Sequence, residues 1–388
     1  MKRIEEELEQ IRQQGLWRQL TPHSRMGACH ESGPISFASN DYLGLSQHPA
    51  ITSAFHEGLE QYGHGSASSR LICGTSVAHT ELENRLAALK GTDRALTFSS
   101  GFATAMGTIP ALLGKDDFVV LDKLSHACLI DAAKLSTATL RVFPHNHLAK
   151  LESILQQIRS RHGSAARILI VTESVFSMDG DLAPLREIVE LKQRYDAWLL
   201  VDEAHGFGVL GPHGAGLAEE LALQGRIDLQ MGTLSKAAGL AGGFIAASSP
   251  VIDLLINRAR SFIFSTAPPP ALAHAAVCAL EIIASPEGQF LRQQLQERIH
   301  DFTIGLLPDP HRSPIVPLIL GSNEAALRAS QRLAQKGFVV PAIRYPTVPR
   351  NLARLRVSLS AVHTPHAVMA LREACRIIDQ INQADHPH

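Results

Sequence analysis

Four short segments of this chain carry side chains able to do chemistry: SSGFATA (99–105), SVFSMDGD (174–181), VDEAHG (201–206) and TLSKAAGLAGG (233–243). In the last of them Lys236 lies among Ser235, Ala237, Ala238 and Gly239, small residues that leave room for something bulky beside its amine. A lysine partly withdrawn from water loses basicity and becomes a nucleophile able to form a Schiff base. Taken alone, composition favours reading it as an exposed lysine in a flexible loop. Asp202 and His205 close a strand-like run, where a carboxylate and an imidazole suit a planar group carrying a ring N–H and a phenolic oxygen. Singly they would be a helix cap, an ion pair or a loop histidine. Ser100 and Gly101 open a helix whose first N–H groups form an anion site, although an ordinary N-cap has the same appearance.

Those segments need elements to hold them. The apolar runs RALTF (94–98), DFVVLD (117–122), ARILIVTES (166–174), AWLLVDEA (197–204), DLQMGT (228–233) and GGFIAAS (242–248) are each followed or preceded by helix-sized stretches. That alternation predicts an α/β fold with a mostly parallel sheet buried on both faces between helices. Ligands in such sheets bind beyond the carboxyl ends of the strands, where the polar endings SSG, TES, DEAH and TLSK fall. A phosphate cradle, a ring-nitrogen partner, an oxygen partner and an amine at adjacent strand ends are the requirements of pyridoxal phosphate.

A second, smaller α/β unit is expected from SPIVPLIL, NEAALRASQRLAQKG with Gly337 as helix stop, GFVVPAI and RLRVSLS, closed by a helix starting at Thr364-Pro365. Ile4, Leu8, Ile11 and Leu16 predict an amphipathic N-terminal helix packed on something larger. The division drawn is an N-terminal helical segment at 1–40, a large cofactor-binding domain at 41–270 and a C-terminal α/β domain at 271–388.

Composition narrows the function classes. Lys and Arg total 36 against 37 Asp and Glu, a balance that gives no support to nucleic-acid binding through a basic surface. Five cysteines, at 29, 73, 128, 278 and 375, form no CxxC pair, which argues against a zinc ribbon or disulfide framework and for a reducing compartment. The charged MKRIEEELEQ start and the lack of a long apolar stretch point to a soluble cytoplasmic protein with no membrane partner. No metal site is expected. GFGVLG (206–211) matches GxGxxG but runs into Pro212-His213-Gly214 rather than a helix, and DEAH (202–205) lacks any accompanying P-loop, so dinucleotide and helicase readings both fail.

Taken together, DYLGLS, RLICGTSVAHTELE, LSHA, TESVFSMDGD, VDEAHGFGVLG and TLSKAAG arrive in one order over nearly the whole chain. In that order they resemble the α-oxoamine synthases, fold-type I pyridoxal-phosphate enzymes that join an amino acid to an acyl-CoA with loss of carbon dioxide. HNHLAKLESIL (145–155) and AIRYPTVPRNLARLR (342–356) are most similar to members that condense L-alanine with pimeloyl-CoA, or a pimeloyl carrier protein thioester, early in biotin synthesis. Sister activities use glycine and acetyl-CoA or other acyl chains, and an inactive homologue serving as a binding protein is the remaining class.

The resemblance implies a role for each matching residue. Lys236 would hold the cofactor covalently and move the substrate proton, Asp202 would pair with the ring nitrogen, and His205 and Ser177 would bond the phenolic oxygen. His126 would stack on the ring. Ser100, Gly101, Phe102 and Thr233 would bind the phosphate, and Ser265 and Thr266 would reach the phosphate of the neighbouring subunit in a homodimer with shared sites. Asn40 and Glu173 would lie near the amino acid and Arg356 at its carboxylate, while Arg18 and Thr347 would contact the acyl-CoA.

Overall fold

A computed structural model describes residues 2–20, 22, 33–307 and 311–385. Cys29 lies outside these residues. Two compact units are present: Asn40–Gln296, and Met1–Ser39 together with Glu297–His388. The second boundary therefore falls after Gln296 rather than after residue 270. The physical reason is the helix Pro270–Ala284, which packs on helices Pro49–Tyr62 and Val77–Lys90 of the larger unit. A Cβ on Gly58 would sit 2.8 Å from the Ala271 backbone, so those helices touch main chain to main chain.

The larger unit is built on seven strands: β1 (Arg94–Phe98), β2 (Phe118–Asp122), β3 (Thr139–Phe143), β4 (Ile168–Glu173), β5 (Trp198–Asp202), β6 (Leu229–Thr233) and β7 (Gly243–Ala247). Their order is β1-β7-β6-β5-β4-β2-β3. The six predicted runs all form strands, and the interior ones are buried on both faces. Two features differ from the sequence expectation. Strand β3 was not anticipated because TLRVF is a half-exposed edge with Arg141 in its centre and no continuous apolar run. β7 runs antiparallel to both its neighbours, β1 and β6. Only residues 234–242 separate it from β6, too few for the dozen or more of a parallel crossover.

In the smaller unit, Ile315–Gly321, Ala353–Ser358 and Ala342–Ile343 form an antiparallel sheet, and Ile35–Ser36 pairs parallel with Phe338–Val339. Helix Asn323–Gln335 is capped by Ser322, and Gly337 follows it at φ +84°, a left-handed turn suited to glycine. Thr364 caps the last helix, Pro365–Asp385, by accepting from Ala367 N–H at 3.2 Å. The N-terminal helix forms at Lys2–Gln13, and within the single chain Ile4, Leu8 and Ile11 are each more than a third exposed. No helix among the described residues is long and apolar enough to cross a membrane.

Candidate active site

Strand register brings the predicted residues at the strand ends of the larger unit to one end of its sheet. β2, β4, β5 and β6 are parallel, and β1 joins them in direction because two antiparallel pairings through β7 separate it from β6. Glu173 and Asp202 end β4 and β5 and are direct partners, while Phe98 and Thr233 both oppose Gly243. The chain leaving β1 thus enters helix Gly101–Leu112 next to Thr233. A Cβ on Gly101 would lie 3.7 Å from the Thr233 hydroxyl, and one on Gly243 only 2.5 Å from Gly101 N. Glycine at 243 permits this approach of two main chains.

Ser100 caps that helix, its hydroxyl accepting from Ala103 N–H at 3.0 Å. The N–H groups of Gly101 and Phe102 have no acceptor within the helix and carry its positive end. They provide donors for an anion next to the Thr233 hydroxyl, which donates to Gly242 O at 2.7 Å and lies 2.8 Å from that of Ser235. The exposed Ser235 was not singled out as a ligand from the sequence.

Lys236, half-buried, lies 2.8 Å from His205 Nε2. The other ring nitrogen, Nδ1, is 2.7 Å from the Tyr42 hydroxyl, which donates to Asn40 Oδ1 at 3.0 Å. With the tyrosine proton directed to Asn40, His205 Nδ1–H is the donor to Tyr42 and Nε2 accepts from the Lys236 amine. Tyr42 is fully buried and was not predicted as a site residue; its position in DYLGLS was the available signal. The Lys236 segment is held close on two sides by glycines. Gly208 (φ +79°) passes where a Cβ would come 2.5 Å from Ala237 Cβ, and Gly239 (φ +70°) leaves no room for a Cβ beside Ser46. The GFGVLG loop is therefore a close-packing device behind the lysine.

Asp202 is buried, and desolvation raises its pKa against the opposing charges of Lys236 and His126 and a hydrogen bond from Ala204 N–H at 2.9 Å. Glu173 is pushed up to about 8, first by burial and then by the Asp202 charge. Its carboxylate accepts the backbone N–H groups of His126 and Ser177, fixing two more predicted residues to the β4 end. His126 is open to solvent on one side, yet desolvation by the protein behind it lowers its pKa, with Asp202 opposing and Lys236 assisting. The ring is thus kept neutral. Ser125 and Ser174, beside these groups, keep buried hydroxyls without a hydrogen-bond partner. Glu203 of DEAH instead accepts from Leu217 and Ala218 N–H and caps a short helix.

Two buried carboxyls against one amine, with orphaned hydroxyls and an anion cradle one strand away, fit pyridoxal phosphate: its cationic ring nitrogen matches Asp202 and its phosphate matches Gly101, Phe102 and Thr233. Ser265 and Thr266 lie on partly exposed chain, where Thr266 bridges to Ser69. Arg18, Thr347 and Arg356 belong to the smaller unit. There Arg18 donates to the Thr347 hydroxyl at 3.3 Å, and the buried Arg356 donates to Ser358 at 2.7 Å.

The chain belongs to the aminotransferase class I and II family, whose model matches residues 32–376, and its fold is that of the fold-type I pyridoxal-phosphate transferases. Among similar proteins, the 8-amino-7-oxononanoate synthase of Geobacter sulfurreducens is 47% identical, over 92% of this chain and 93% of its own. Among solved structures, SPT with PLP internal aldimine superposes with a TM-score of 0.89 at 29% identity, over 98% of this chain and 97% of that one. The 8-amino-7-oxononanoate synthase of Francisella tularensis gives a TM-score of 0.76 at 30% identity, over 91% and 98%.

Proposed function

We propose that this chain is a pyridoxal-phosphate-dependent acyltransferase of biotin synthesis. It condenses L-alanine with pimeloyl-CoA, or a pimeloyl carrier thioester, to give 8-amino-7-oxononanoate, the free thiol and carbon dioxide. The observation that carries the reading is Lys236 held by His205 beside the buried Glu173–Asp202 pair. Its substrates are taken from the 47% identical relative and from the HNHLAKLESIL and AIRYPTVPRNLARLR segments.

When bound, pyridoxal phosphate supplies an aldehyde carbon for attachment of an amine and a ring that withdraws electrons from the amino-acid α-carbon. Lys236 Nζ holds the group and then moves the proton on and off the alanine α-carbon. Its proton passes toward His205 Nε2, 2.8 Å away, and Tyr42 keeps that nitrogen an acceptor. Asp202 keeps a proton on the ring nitrogen, since a buried carboxylate is stabilised by a cation. Ser177 would bond the phenolic oxygen, joined by His205 Nε2 once that nitrogen has taken the proton from Lys236, and the neutral His126 would cover the ring face. One carbon–carbon bond forms, between the alanine α-carbon and the pimeloyl carbonyl. The thioester C–S bond and the alanine Cα–carboxyl bond break.

Asn40 and Glu173 border the amino acid in this reading. Arg356 pairs with its carboxylate, for which a planar guanidinium is suited. Arg18 and Thr347 contact the acyl thioester. The working unit is a homodimer in which Ser265 and Thr266 reach the partner's phosphate, and their exposure beside exposed Phe264 and Ile72 supports that assignment. The direct test is the visible absorption of protein loaded with pyridoxal phosphate. Wild type should show a Schiff-base band that Lys236→Ala lacks, with turnover falling by at least about 10²–10⁴-fold from the lost proton transfer. A band and normal turnover in Lys236→Ala would sink the assignment.

A further inference from the structure

HNHLAKLESIL opens with a histidine that the reaction does not use. His145 lies between two carboxylates: Nδ1 is 3.0 Å from Asp122 Oδ1, and Nε2 is 2.7 Å from Asp181 Oδ2. Asp122 is fully buried at the end of β2, where its Oδ1 also accepts from Leu124 N–H and its Oδ2 from Asn146 N–H, each at 2.8 Å. On the other side, Asn146 Nδ2 donates to Asp181 Oδ2 at 2.9 Å and to Leu182 O at 3.3 Å. The His145 ring meets Phe176 edge-on, with centroids 4.3 Å apart. Burial alone would lower the imidazole pKa, but hydrogen bonds and charge from Asp122 and Asp181 hold it up at about 10. The group is a cation at neutral pH, bonded at both nitrogens.

The two elements it joins carry site residues. Asp122 leads through residues 123–125 to His126. Asp181 closes the 174–183 loop, in which Phe176 N–H bonds Asp181 O, Gly180 N–H bonds Phe176 O, and Ala183 N–H bonds Ser174 O. Ser177 is in the middle of that loop. Glu173 makes one link between the same two segments, through the N–H groups of His126 and Ser177. His145 makes the second, further from the cofactor.

We propose that His145 is a positioning residue: clamped between Asp122 and Asp181, it fixes the 174–183 loop against the end of β2 and so sets where Ser177 stands against the phenolic oxygen of the cofactor. The inference rests on the cofactor reading above. A bond set by a rigid neighbour is lost when the neighbour relaxes, even though the bonding residue itself is intact.

The test is a double-mutant cycle on cofactor affinity, read from the visible band during titration of cofactor-free protein with pyridoxal phosphate. His145→Gln removes the half-buried cation and could fail to fold, so the cycle uses Asp181→Asn, at a side chain 41% exposed. Asp181→Asn and Ser177→Ala should each weaken binding by about 10-fold, the worth of one good hydrogen bond. The double variant should be no weaker than Ser177→Ala alone, because one variant acts through the other. Multiplying penalties of about 100-fold, or wild-type affinity in Asp181→Asn, would overturn the clamp while leaving the cofactor reading intact. A wild-type protein that shows no band at all would overturn both.

Discussion

At the residue scale the site is governed by how few counter-charges face its carboxyls. Glu173 and Asp202 are neighbours in register and both buried, so Lys236 cannot neutralise the two at once. Burial and the Asp202 charge push Glu173 up to about 8 in the folded chain against an ordinary 4.5. Between those values the folded state binds more protons than the unfolded one. Stability of the cofactor-free protein should therefore fall as pH rises from about 4.5 through about 8. Glu173→Gln, which keeps an oxygen to accept the His126 N–H, should flatten that decline. Melting temperatures measured across this window for both proteins decide it, and equal slopes would mean that Glu173 ionises normally. Lys236, Asp202 and His205 were legible because a strand end followed by a fixed short spacing places side chains at one edge. Tyr42 was not, since nothing in a local pattern says which distant side chain a buried tyrosine meets.

At the element scale, the loop holding residues 66–74 depends on Arg70, which is nearly buried and bonds both Glu83 oxygens at 2.9 and 3.0 Å as well as the Thr97 and Thr75 hydroxyls at 3.0 Å. Phe262 lies under its guanidinium at 5.3 Å. Arg70→Ala leaves Glu83 in the interior without its cation and should cost about 3–5 kcal/mol in urea unfolding. Arg70→Lys should recover only part, because an ammonium cannot make the two-pronged contact. A loss below about 1 kcal/mol would contradict this account of the loop. The strands show what pattern can and cannot reveal. Interior strands declare themselves by unbroken Val, Ile and Leu runs, whereas β3 hides because an edge tolerates Arg141. The reversal of β7 was written in a connection too short for a crossover, a signal of length and not of composition. The N-terminal helix was legible as a helix, but its packing was not, since periodicity marks an apolar face and not what covers it.

At the scale of the whole molecule, the proposal assigns each site to two copies of the chain. Mixing Lys236→Ala with Thr266→Ala protein, after dissociation and reassembly, should create hybrid dimers with one site free of both substitutions. Activity of the mixture should exceed that of either parent, and the simple average of the parents would contradict shared sites. Domain limits were the least legible feature at this scale. Helix Pro270–Ala284 begins where the sequence reading set the boundary at residue 270, yet its small residues bury it in the larger unit.

The central claim is the reaction. Release of the CoA thiol from pimeloyl-CoA, followed by a thiol-reactive dye with L-alanine or glycine as the amino donor, tests it most directly. The account predicts release that depends on L-alanine and on bound pyridoxal phosphate. Release with glycine alone, or none until acetyl-CoA replaces pimeloyl-CoA, would contradict it and assign the same lysine chemistry to a different pair of substrates.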